Sequence, residues 1–189
     1  MGFLDSLLGG GRKLKAPAQD RLFAMSTAHI TFETSLGMTS RKAAGIVFQP
    51  LATVDFTSIV KEAEELLRGQ AEDTGTTVET ADDKFGYRWM VLRDDDFEDL
   101  VVAVNVVSSQ LEGAGYGDRL LAAVFAFEQD GQPVYFIYNF KRGAYYPFVP
   151  KGEQQRDNEH ELRLKAQIGA ELPIEQELER WFPLWEIPL

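Results

Sequence analysis

Cysteine is absent from the chain, and histidine nearly so, with two residues among 189. Without thiols there is no disulfide framework, thiolate zinc site, iron–sulfur ligation or cysteine nucleophile. Neither His29 nor His160 sits in a zinc-peptidase spacing. His160 lies between Glu159 and Glu161, and neighbours one residue apart on a helix point to different faces, so the three do not converge. His29 is expected to start a strand, and both histidines read as structural or solvated groups. The sequence asks for no metal and no cofactor. No run of about 18 apolar residues is present to span a bilayer. The N-terminus also lacks secretory order, because its apolar stretch precedes its charges.

Positive charge is also scarce. Nineteen Lys and Arg stand against 30 Asp and Glu, giving a net charge of −11 and a pI near 4.7. Such a surface repels phosphate backbones and anionic lipid, so nucleic acid is not an expected partner. Residues 1–16 run against this trend, with Arg12, Lys13 and Lys15 against Asp5 alone. What the chain does have is apolar material, 44% of its residues, which suits one domain with a real core.

Two parts follow from the pattern: an arm and linker over 1–16, and a single domain over 17–189. In the arm, Phe3, Leu4, Leu7 and Leu8 fall on one side of a helix that Gly9, Gly10 and Gly11 stop. Burying these four side chains is worth about 6–12 kcal/mol. Ordering some seven residues costs about 7–14 kcal/mol. The arm is therefore marginal alone and needs a surface, either a partner's, a membrane's or its own domain's. The opening Met1–Ser6 also fits the short myristoylation pattern, which matters only where the acylating enzyme exists.

In the domain, a pair of strands is expected near 28–36 and 43–49, joined as a hairpin by a turn around Gly37, then a helix near 56–69 and a short strand at 76–80. Phe85–Leu92 alternates as a half-buried strand. A helix follows over 96–113, with Leu100, Val104, Val107 and Leu111 as its stripe. Apolar runs at 120–127 and 134–140 flank Asp130-Gly131, a hairpin turn signal. A strand at 144–149, a helix from Asp157 to about 169, and an aromatic tail complete the chain. Too few βα units alternate for a parallel sheet, so the class is α+β: a mostly antiparallel sheet with helices packed on it. The two ββα stretches hint at a pseudo-repeat.

Catalytic signatures are missing. The glycines of Gly113-Ala114-Gly115-Tyr116-Gly117 end a helix and precede a strand, the reverse of a dinucleotide loop. Asp94, Asp95, Asp96, Glu98 and Asp99 lack the EF-hand glycine and glutamate and read as acids at a helix N-terminus. No nucleophile-elbow serine or phosphate-binding lysine loop is present. Carboxylates that meet only in the fold are invisible in a sequence, so a small-molecule-binding or hydrolytic carboxylate site stands as the alternative function. Features that suit binding are clearer. They are the arm (Phe3, Leu4, Leu7, Leu8), the basic-aromatic block with Lys141, Arg142, Tyr145 and Tyr146, and the tail with Trp181 and Trp185. For the block, ordinary turn chemistry over buried tyrosines fits equally. For the tail, folding across its own core competes with partner binding.

The same places carry a resemblance. The start Met1–Gly9, the strand Phe85-Gly86-Tyr87-Arg88-Trp89, the block Lys141–Phe148, Arg156-Asp157-Asn158 and Arg180-Trp181-Phe182-Pro183-Leu184-Trp185 together resemble the actinobacterial and archaeal PspA-associated protein family PspAB. The likeness runs nearly end to end. It implies a cytoplasmic, non-enzymatic adaptor or chaperone-like protein of the phage-shock membrane-stress response. Its partner would be a PspA-like coiled-coil protein, with peripheral contact at the inner face of the membrane through the arm. The family supplies no catalytic residues to carry over. The element order also looks like the secretion-chaperone layout, and a homo-oligomer is compatible with all of this.

Overall fold

The structure, a computed structural model, describes residues 21–189, the side chain of Glu72 apart. At the start of the described chain, helical spacing prevails over local β-propensity. Residues 28–36 are not a strand. Residues 28–35 belong to helix α1 (Ala24–Ser35), which buries Met25, Ala28 and Phe32 along one stripe, and Leu36 caps its end. The β-branched Thr27, Ile30, Thr31 and Thr34 suggest a strand locally. Burial at helical intervals outweighs that preference, so His29 is helical and stacks on Phe97 at 4.5 Å. The expected hairpin, and with it the ββα pseudo-repeat, is absent. Gly37 (φ +62°) turns the chain into one long strand, β1 (Met38–Phe48).

The remaining elements keep close to expectation. Helix α2 (Val54–Thr74) runs from a Thr53 cap to a left-handed Gly75, five residues beyond the expected end. Strand β2 (Thr77–Asp82) pairs with β3 (Arg88–Arg93), so Phe85-Gly86-Tyr87 is the connecting turn and not strand. Helix α3 (Phe97–Gly113) begins at Asp96, whose side chain accepts from Glu98 N at 2.9 Å. Asp94 lies buried behind it, accepting from Thr76 Oγ1 and from Asp96 N. The acidic run thus organises a helix start. Strands β4 (Leu120–Gln129) and β5 (Gln132–Asn139) flank Asp130 and Gly131, both at positive φ as a type I′ turn requires. Then come β6 (Ala144–Phe148), the small β7 (Pro150–Gly152) and β8 (Gln155–Arg156) pair, and α4 (Asn158–Ile168), capped by Asp157.

Six strands form one antiparallel sheet in the order β2-β3-β1-β4-β5-β6. Register assigns the faces. Ala44, Ile46, Phe48, Met90, Leu92, Phe125, Phe127 and Phe136 share one face, under α1 and α3, with α2 packed on α3 and β2. Phe32, Phe97, Phe125, Phe127 and Phe136 interlock there at 4.6–5.8 Å between rings. The opposite face carries Val47, Trp89, Val91, Val124, Ile137, Tyr146 and Phe148, and the C-terminal segment covers it. Phe148 meets Trp185 edge to face at 5.2 Å, and Tyr146 stacks on Trp181 at 6.1 Å. Gly45 lies beneath: a Cβ there would sit 3.2 Å from both the Trp89 ring and Leu189. Tyr145 also pairs with Ile174 as a parallel bridge, so the tail closes the β6 edge. Among the described residues no helix is long and apolar enough to cross a membrane, and no group of side chains is placed to hold a metal ion.

Candidate functional site

Where the tail leaves the covered face of the sheet, a cavity of about 460 Å³ remains. Its floor is Val47, Trp89, Ala122 and Tyr146 from four strands. Three connecting segments form its walls: Asp83, Phe85 and Tyr87 of the β2–β3 turn, Asn139 and Lys141 at the β5–β6 turn, and Phe182 to Trp185 of the tail. Six of the lining side chains are aromatic. Two of them, Phe85 and Phe182, are each 58% exposed, unusual for phenylalanine on a chain with this much core to fill.

Local chemistry fixes these walls. Asp83 Oδ1 accepts from the backbone N–H of Phe85 (2.8 Å) and Tyr87 (3.0 Å), and Oδ2 accepts from Trp89 Nε1 (3.1 Å). One carboxylate therefore shapes the turn and orients the indole of the floor. Gly86 at φ +85° completes the turn and sends Phe85 outward. Lys84 pairs with Glu186, joining the turn to the tail across the rim, and its ammonium lies 5.2 Å from the Phe85 ring centre. Tyr146 donates its hydroxyl to Phe182 O at 2.9 Å, and burial pushes its phenol well above the usual range. The tail is held further back by Arg156, which binds buried Glu161 through Nε (2.8 Å) and Trp181 O through Nη1 (2.6 Å).

The expected binding residues divide accordingly. Lys141, Tyr146 and Trp185 line the cavity. Tyr145 and Trp181 are buried within the fold: the tyrosine hydroxyl donates to Leu22 O, and the indole of Trp181 to Glu175 O at 3.0 Å. They shape the fold and present no surface in it: Tyr145 packs on the helix-covered face against Phe125 and Tyr138, and Trp181 is buried where the tail crosses the opposite face. Arg142 donates to Glu175 at 3.0 Å and fastens the β5–β6 turn to the tail. Burial opposes the charge on Glu175, but donors from Glu177, Arg142 and Gln176 outweigh it and hold its carboxyl below the usual range. Lys141 is exposed and makes no ion pair with a described residue. Phe3, Leu4, Leu7 and Leu8 lie outside the described residues.

Asp83, Tyr87, Phe182 and Leu184 were not among the expected site residues. For Tyr87, Phe182 and Leu184 the signal was present in two of the blocks that carry the family resemblance, Phe85–Trp89 and Arg180–Trp185, while Asp83 lies outside both. With Lys141 from a third, these blocks converge on the one cavity. What the arrangement offers chemically is an aromatic recess, the lining cation Lys141 beside the Lys84–Glu186 pair of the rim, and a carboxylate already engaged in three hydrogen bonds.

The model of the PspAB family, PspA associated protein B, matches residues 1–189. No curated protein and no solved structure matches the chain.

Proposed function

Because the chain belongs to the PspA associated protein B family, we propose that it is a non-enzymatic adaptor for a PspA-like coiled-coil partner, which it holds through the aromatic cavity. The observation that carries this reading is the convergence of three distant blocks on one recess with two exposed phenylalanines on its rim. Aromatic side chains around a concave centre are the usual anchors of protein interfaces. A partner helix would lay a large apolar side chain over Trp89 and Tyr146, and a carboxylate on the same helix would meet Lys141. Its context is the membrane-stress response, at the inner face of the membrane.

Absence of catalysis is part of the proposal. Asp83 is the one carboxylate among the described lining residues, and it is already committed to three hydrogen bonds that shape the turn and orient Trp89. Volume favours one other reading, since about 460 Å³ lies within the rough 300–1,000 Å³ range of small-ligand pockets. Affinity capture separates the two. Full-length bait should retain a PspA-type protein from native lysate, and bait with Phe85→Ala and Phe182→Ala should not. Equal retention by both baits would refute the cavity as the contact, and recovery of a small molecule with the purified protein would favour the second reading.

A further inference from the structure

Residue 21 enters the described fold beside the cavity. Arg21 Nη1 donates to Gly143 O at 3.1 Å, and its Cδ lies 3.3 Å from where a Gly143 Cβ would stand. Leu22 is buried, and its carbonyl accepts from the Tyr145 hydroxyl. The preceding chain is thus anchored on the β5–β6 turn, two residues from Lys141 of the cavity wall. Thirteen steps separate Leu8 from Arg21, and the random-coil reach for a chain of that length is roughly 18–22 Å. Reaching the cavity means passing over the end of a sheet layer about 10 Å thick. The tether is long enough with slack, and Gly9, Gly10 and Gly11 allow the bend.

Chemistry matches on both sides. The arm presents Phe3, Leu4, Leu7 and Leu8 around Asp5, the sole acid of residues 1–16. The cavity presents an aromatic recess beside Lys141. Of the net charge of −11, residues 1–20 hold +1 (three basic, two acidic) and the described body therefore −12. Attraction between basic linker and acidic body favours the return of the arm.

We propose that residues 3–8 of the chain dock into its own aromatic cavity, with Asp5 at Lys141, and are displaced when the partner binds. The inference rests on the reading of the cavity as the partner's contact and adds its regulation. The arm is a tethered competitor at millimolar effective concentration. Since its burial and ordering terms nearly balance, occupancy is partial. Removing residues 2–11 should then strengthen partner binding by about two- to tenfold.

The cysteine-free chain allows a direct test without the partner. Ser6→Cys with Lys84→Cys, in the full chain at low concentration, should form an intramolecular disulfide at least about tenfold faster than Ser6→Cys with Glu65→Cys on the far side of the sheet. Equal rates, or disulfide-linked dimers only, would overturn the docking. Weaker partner binding after deletion of residues 2–11 would overturn it too, assigning the arm to the partner. Both outcomes leave the cavity reading intact, which fails separately if Phe85→Ala and Phe182→Ala change no partner affinity.

Discussion

Asp83→Asn isolates one atom of the site. The amide retains Oδ1, so the bonds from Phe85 N and Tyr87 N survive, but an NH₂ replaces the oxygen that faces Trp89 Nε1. Two donors then oppose each other at about 3 Å, and the buried indole loses a charged acceptor. Hydrogen bonds to charged groups contribute about 1.5–3 kcal/mol, which for a chain of this length lowers Tm by about 3–12 °C. Urea denaturation followed by tryptophan emission and by circular dichroism reads both the loss and the displaced ring. A double-mutant cycle tests the cause: in a Trp89→Phe background the donor is gone, and Asp83→Asn should cost less than about 0.5 kcal/mol. The same cost in both backgrounds would refute the assignment of Asp83 as the group that orients the cavity floor.

Three further outcomes are expected. Glu161→Ala leaves Arg156 and Val149 N without their buried acceptor and should cost about 3–5 kcal/mol in equilibrium unfolding, while a loss below about 1 kcal/mol would contradict the role of this pair in fastening the tail. Gly45→Ala places a methyl 3.2 Å from Trp89 and Leu189 and should cost about 1–3 kcal/mol, partly recovered when Leu189 is also removed, as a pair of melting curves would read. The Lys151 ammonium and the His160 N–H hold the Asp157 carboxyl below its ordinary value of 3.8. Its folded pKa is thus below the unfolded one, so the stabilisation is present above pH about 4 and disappears as pH falls through the folded pKa. The stability gap between the wild type and Asp157→Asn should therefore close under acid, and a gap independent of pH would contradict it.

How legible each part was follows from the range of the forces that set it. Helices α3 and α4 and the β4–β5 turn rest on local signals, caps at Asp96 and Asp157 and the Asp130-Gly131 pair, and all three stand where expected. Residues 24–35 misled because β-branched side chains mask a helical stripe whose partners, Phe127 and Phe136, lie about 100 residues away. Phe85 alternates as a strand residue, yet the hydrogen bonds from Phe85 N and Tyr87 N to Asp83 convert its surroundings into a turn. That conversion leaves Phe85 at the rim. Strand order was out of reach, since nothing local tells β1 to lie between β3 and β4. For the candidate site, Lys141, Tyr146 and Trp185 were legible as aromatic and basic blocks. That they meet depends on the tail crossing the sheet, a contact between residues some 40–100 positions apart. The same crossing buries Trp181, while Tyr145 is buried on the helix-covered face against Phe125 and Tyr138.

If the aromatic cavity is the proposed contact for a PspA-like coiled-coil partner, binding must depend on the exposed aromatics of its rim. Calorimetric titration of the purified partner into wild type and into Phe182→Ala tests it most directly. Phe182 is largely exposed, so its removal should leave the melting temperature unchanged. As an anchor it should contribute about 2 kcal/mol or more, a loss of roughly 30-fold in affinity. Binding by the wild type with that loss in the variant is the expected result. Identical affinities, or no binding by the wild type, would contradict it.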